Sequence, residues 1–124
     1  MIDFKNSSFV KMKKVDPAAL MGDISPLLID GENVIGAYKA VRDYCFFTTK
    51  RVISVNVQGM TGKKRDFTSL PYSKISAFSV ETAGVLDMDS ELEMYFSGLG
   101  KVKFEFTGKS DIVQIGRLIS EYTL

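Results

Sequence analysis

The segment Gly59-Met60-Thr61-Gly62-Lys63-Lys64 is the first place to look for chemistry. Glycines followed by lysine suit a phosphate loop, in which backbone N–H groups converge on phosphate oxygens. Such a loop needs four residues between its glycines, then Lys and a Ser or Thr opening a helix. Here two residues separate the glycines, Lys64 stands where Ser or Thr belongs, and a strand-like run follows. The segment therefore reads as a turn between strands with solvated lysines, or as a loop that meets a partner. Glu81, Asp87, Asp89, Glu91 and Glu93 form an acidic stretch. Asp87-x-Asp89 resembles the start of a calcium loop but lacks the required glycine and terminal glutamate. A paired-carboxylate hydrolase is the other chemistry open to it, yet no pocket residues accompany the pair. It reads as a polar loop feeding a strand, with contact to a neighbouring protomer as its functional use.

Clustered cations can surround phosphate oxygens. Lys63-Lys64-Arg65 supplies one group, and Lys39, Arg42, Lys50 and Arg51 lie elsewhere in the chain. Asp43 places a counter-charge beside Arg42. Arg42-Asp43 and Lys50-Arg51 sit at opposite ends of one short apolar run, where they suit a polar seam between protomers. Nothing else offers catalysis. The chain of 124 residues has no histidine and a single cysteine, Cys45. That removes Ser-His and Cys-His pairs, the commonest zinc ligand, and any internal disulfide. No cofactor motif is present. A net charge of +1 argues against a generic electrostatic grip on nucleic acid or on an anionic membrane, which would need a clear basic excess or patch. Met1-Ile2-Asp3-Phe4-Lys5 lacks the features of an export signal, so a cytoplasmic location is expected.

The elements that must hold these residues follow from periodicity. The whole chain, 1–124, reads as one domain with three parts. In residues 1–30, Asp16 caps a short helical stretch with Pro17 at its first position. Leu27-Leu28-Ile29 is expected to pack on the main body, and the earliest residues, with Lys11, Lys13 and Lys14, to be loosely held. Residues 33–107 carry strands at 34–41, 44–48, 52–57, 64–70, 75–82, 91–96 and 101–106. Leu92, Met94 and Phe96 alternate with Glu91, Glu93 and Tyr95, and Val102, Phe104 and Phe106 with Lys101, Lys103 and Glu105, as in a half-buried antiparallel hairpin whose solvent face sets Glu on one strand favourably against Lys on the other. In residues 110–124, Ser110 or Asp111 can cap a helix whose Ile112, Ile115, Ile119 and Tyr122 form one apolar stripe. The fold class is mainly β: about seven antiparallel strands in a curled sheet or small barrel, plugged by the terminal helix.

Particular residues add a resemblance. The run Val41-Arg42-Asp43-Tyr44-Cys45-Phe46-Phe47-Thr48-Thr49-Lys50-Arg51-Val52-Ile53 is similar to a hairpin of the bacterial pleckstrin-homology (PH) domain family. Gln58-Gly59-Met60-Thr61-Gly62-Lys63-Lys64 resembles that family's turn. Leu70-Pro71-Tyr72, residues 78–84 and residues 87–92 continue the likeness in order. The resemblance covers about residues 30–107 and implies a PH-like barrel without enzymatic activity or cofactor. It also implies assembly as a cyclic homo-oligomer, five-fold for single-domain members, and interaction with a further protein. The expected interface comprises Arg42, Asp43, Lys50, Arg51, Lys63, Lys64, Glu81, Asp87 and Asp89. The alternative implied by the wider PH superfold is a peripheral module that binds anionic lipid or phosphoinositide.

Overall fold

Apolar alternation from position 34 onward produces strands, and the computed structural model describes residues 1, 9, 11–86, 88–108 and 112–124. The strands are β1 (Lys13–Val15), β2 (Val34–Lys39), β3 (Tyr44–Thr48), β4 (Arg51–Gln58), β5 (Lys64–Pro71), β6 (Ile75–Glu81), β7 (Ser90–Phe96) and β8 (Gly100–Phe106). A short helix, α1 (Met21–Ile24), lies between two 3-10 turns, Pro17–Ala19 and Ser25–Leu27, and α2 (Ile112–Thr123) ends the chain. One antiparallel sheet has the order β1-β2-β3-β4-β5 and the other the order β6-β7-β8. This is the PH-like arrangement of strands and terminal helix, but β5 and β6 do not pair among the described residues, so the barrel is open there. Asp16 does cap the first turn, accepting a 3.0 Å hydrogen bond from Ala18 N. The expected Ser110 or Asp111 cap lies outside the described residues.

An eighth strand, β1, stands where the sequence reading expects a loosely held segment. Phe9 and Met12 lie along β8, with Glu105 N donating to Phe9 O (3.0 Å), Met12 N to Glu105 O (2.9 Å) and Thr107 N to Met12 O (2.9 Å). Residues 13–15 then pair with Ala37–Lys39 of β2. One segment thus closes the seam between the two sheets. The corner is Lys11, whose φ of 50° is uncommon for a residue with a Cβ.

Strands β3 and β4 are buried on both faces, which accounts for the continuous apolar run Tyr44-Cys45-Phe46-Phe47. Their inner face meets Tyr38, Phe104, Phe106 and the α2 isoleucines Ile112, Ile115 and Ile119. Their outer face, Tyr44, Phe46, Ile53 and Val55, is covered by Ile24, Leu20, Met21 and Leu28. Of the trio expected to pack, Leu28 does so, whereas Leu27 and Ile29 are exposed. Helix α2 comes close to β6 because Gly116 has no side chain; a Cβ there would stand 2.8 Å from Val80 Cγ2.

Glu32 anchors the outer cover. Its carboxylate accepts from Arg51 Nε and Nη2, both at 2.9 Å, and from the Thr48 hydroxyl at 2.6 Å. Arg51 also donates to Leu27 O at 2.7 Å. Burial alone would raise the Glu32 pKa, but the hydrogen bonds from Arg51, Thr48 and the Ile29 N–H outweigh it and hold the carboxyl below its ordinary value. A carboxylate with a depressed folded pKa stabilises the fold above its unfolded pKa, and that contribution fades as pH falls through the folded value. Glu32→Gln is therefore expected to cost about 2 kcal/mol in urea denaturation at neutral pH. The gap to wild type should narrow as the pH drops below 4.5; a gap that does not change with pH would refute the assignment.

Candidate interaction surfaces

The turn after β2 and the turn after β4 meet at one end of the five-stranded sheet. Arg42 Nη2 donates to Gly59 O at 2.5 Å and ties them together. The second turn needs glycine twice, since Gly59 and Gly62 have φ of 78° and 68°. Asp43 was expected at an interface but is buried. Its Oδ1 accepts from Val57 N at 2.8 Å and its Oδ2 from Asn56 Nδ2 at 3.1 Å. It fixes the turn after β2 onto β4 and is not offered to a partner. Lys63 and Lys64 are exposed on the second turn.

Beneath these turns lies a cleft of about 550 Å³ whose lining includes Asp23, Lys39, Arg42, Tyr44, Met60 and Arg65. Arg65 donates to the Tyr44 hydroxyl at 2.8 Å, and both donate to Asp23. Burial, then the Asp23 carboxylate, pushes the Tyr44 pKa up to about 12. Tyr44 is thus a neutral donor that helps hold α1. The rim carries two wholly exposed apolar side chains, Val41 at 94% and Met60 at 105%.

At the far end of β3, Lys50 is exposed, while Arg51 is engaged by Glu32 and also donates to Ser69 Oγ at 2.9 Å. Arg42-Asp43 and Lys50-Arg51 do flank one strand, but only Arg42 and Lys50 present exposed side chains. Cys45 is buried beside Met12 and burial raises its thiol pKa, so it behaves as an apolar filler.

The outer face of the small sheet carries the acidic residues. Register places Glu81 opposite Glu91 and Glu91 opposite Glu105. Lys103 reaches diagonally to Glu91 at 3.1 Å and Lys101 to Glu93 at 3.8 Å. Asp89 pairs with Lys11 at 3.6 Å, and Asp87 lies outside the described residues. The five-stranded sheet has the opposite bias, with Lys13 directly opposite Lys39. Like charges facing one another across a ladder are destabilising. The sequence reading missed both rows, because like-charge pairing appears only when register is known.

Strand β6 is an edge with few guards. Ser76, Ala77, Ser79 and Glu81 are exposed, and the strand contains no Lys, Arg or Pro, the residues that usually protect an open edge. Among the described residues no group of three or more acidic, histidine or cysteine side chains could hold a metal, and no helix is long and apolar enough to cross a membrane.

A family model described as "Bacterial PH domain" matches residues 3–123. The chain is 46% identical to YjqA of Bacillus subtilis over 105 residues, 83% of this chain and 84% of that one. It is 28% identical to YozO of the same organism over 99 residues, 80% of this chain and 85% of that one. The crystal structure of a protein with a pleckstrin-homology domain from Shewanella loihica superimposes with a TM-score of 0.79 at 37% identity, covering 93% of this chain and 99% of that chain. A pleckstrin-homology domain from Shewanella amazonensis gives 0.65 at 42%, covering 96% and 93%.

Lys39→Glu turns the Lys13 pair into an opposite-charge pair. It is expected to stabilise the protomer by about 0.5 kcal/mol, visible as a higher urea midpoint at low salt. A lower midpoint would contradict the register assigned to β1.

Proposed function

The chain belongs to the bacterial PH domain family, and from that premise we propose that it is a non-enzymatic protein-interaction module that assembles as a homo-oligomeric ring. The observation that carries this reading is the edge of β6, which has no strand neighbour on one side among the described residues, lacks Lys, Arg and Pro, and is flanked by a glutamate row. An exposed edge offers main-chain hydrogen bonds to a further strand. The acidic small sheet and the basic Lys13–Lys39 margin are different surfaces of one molecule. Contact between unlike surfaces is head-to-tail, and it closes into a ring when the rotation between neighbours allows. Ring closure gives several copies of each weak site, which strengthens attachment to a common protein partner through avidity.

Light scattering behind size exclusion tests this. The wild type at micromolar concentration is expected to give a discrete multiple of the protomer mass, with five copies the leading expectation. Charging the edge with Ala77→Lys and Ser79→Lys should return it to one protomer with unchanged circular dichroism. A monomeric wild type would end the ring reading.

A second reading is favoured by Val41 and Met60. Two apolar tips above Lys39, Arg42, Lys63 and Lys64 suit shallow insertion into an anionic bilayer, where each cation near the surface adds about 1 kcal/mol. Wild type should then sediment with phosphatidylglycerol vesicles in a salt-sensitive way, and Val41→Asp with Met60→Asp should abolish it. Sedimentation no greater than with phosphatidylcholine alone would dismiss this reading.

A further inference from the structure

Residues between β6 and β7 present Val85, Leu86 and Met88 to solvent at 95%, 99% and 63% exposure. Contiguous exposed apolar side chains are a mark of interaction surfaces. The loop follows directly from Glu81, the last residue of the open β6 edge. Whatever pairs with that edge lies close to these side chains.

The same molecule carries a matching receptor on its other sheet. A cavity of about 270 Å³ is lined chiefly by Ile35, Tyr38, Phe47 and Ile115, with Lys14 and Gln114 also in its wall. Most of this wall is apolar, and Ile35 is 55% exposed. It adjoins a stretch of backbone left open by the shortness of β1. Because β1 pairs only with Ala37–Lys39, residues 34–36 of β2 have no strand neighbour on that side among the described residues. Ile35 also falls in the register shift between Val34 and Gly36, which bends the strand there. The loop does not fill this cavity in its own chain, since Val85 and Leu86 remain almost fully exposed and do not line it.

We propose that Val85 and Leu86 of one copy insert into the cavity beside Ile35 of the next copy. The inference rests on the self-assembly reading and names its two contact surfaces. The projecting loop extends from the acidic small sheet, and the receptor lies on the strand that carries Lys39. The contact therefore joins margins of opposite charge. A projection and a pocket at different places make a head-to-tail contact, the kind that generates rings.

The test uses two full-length variants, Leu86→Cys and Ile35→Cys, purified separately, mixed and mildly oxidised. The native Cys45 is fully buried and contributes little background. The mixture is expected to form a disulfide-linked dimer at least tenfold more than Leu86→Cys mixed with Ser73→Cys, an exposed position away from the cavity. Leu86→Asp, on an exposed loop, should keep the fold and reduce the native mass to one protomer. If Leu86→Asp keeps a multimeric mass and the cysteine pair does not exceed its control, the inserted loop is wrong and self-assembly stands. If the wild type is itself monomeric, the assembly reading and this contact fail together.

Discussion

A sheet with two apolar faces needs two covers, and that requirement governs this molecule. Strands β3 and β4 present Phe47 and Val52 to the inner core and Phe46 and Ile53 to the outside. The inner face is covered by the second sheet and α2. Among the described residues, the outer face is covered from above by the segment 17–28, whose helical pieces are three or four residues long. Such short helices have no stability of their own in water. Two polar clamps hold them in place. Asp23 receives Arg65 and the Tyr44 hydroxyl at one point, and Arg51 grips Leu27 O and Glu32 at another. The charged groups at the ends of β3 and β4 are therefore largely occupied by the fold.

This division separates the polar residues into two populations. Asp43, Arg51 and Arg65 are engaged within the chain, where geometry is fixed and solvent is partly excluded. Lys13, Lys39, Lys63 and Lys64 on the larger sheet, and Glu81 on the smaller, face outward. Lys13 faces Lys39 on the larger sheet, and Glu81, Glu91 and Glu105 lie in one row on the smaller. Like charges set opposite one another cost some cross-strand repulsion, which on the small sheet is offset in part by Lys103 at Glu91 and Lys101 at Glu93. Their segregation gives the molecule a polarity that a neighbouring copy or an anionic surface can read.

Much of the fold was legible in the sequence because the strands after residue 33 are local and strongly patterned. The Leu92–Phe96 and Val102–Phe106 alternation, the turn at Gly59 and Gly62, and the Asp16-Pro17 helix start all carry short-range signals. β1 was not legible: Lys13-Lys14-Val15 has no apolar alternation, and the segment leading into it pairs with β8, almost a full chain length away. Glu32 was missed for a related reason, as Thr48 and Arg51 lie 16 and 19 residues further on. Asp43 was legible as a special residue, but next to Arg42 it suggested a surface pair, and only the β3–β4 register reveals its hold on Val57 N. Of the candidate interface, the exposed Arg42, Lys50, Lys63, Lys64 and Glu81 keep their standing as surface groups. The open β6 edge and the Val85-Leu86 projection depend on which strands find neighbours, which composition does not encode.

The corner at Lys11 also sets a clock on the chain's birth. Lys11 N donates to the Glu105 carboxylate across a separation of 94 residues. During synthesis at about 5–20 residues per second, the β8 partner of this corner emerges on the order of 5–20 s after it. Through that interval the margin of β2 has at most three residues of cover from β1, and the smaller sheet does not yet exist. The hydrogen bonds that join Phe9 and Met12 to β8 therefore form only after β8 has emerged, well after β1 and β2 are available to pair.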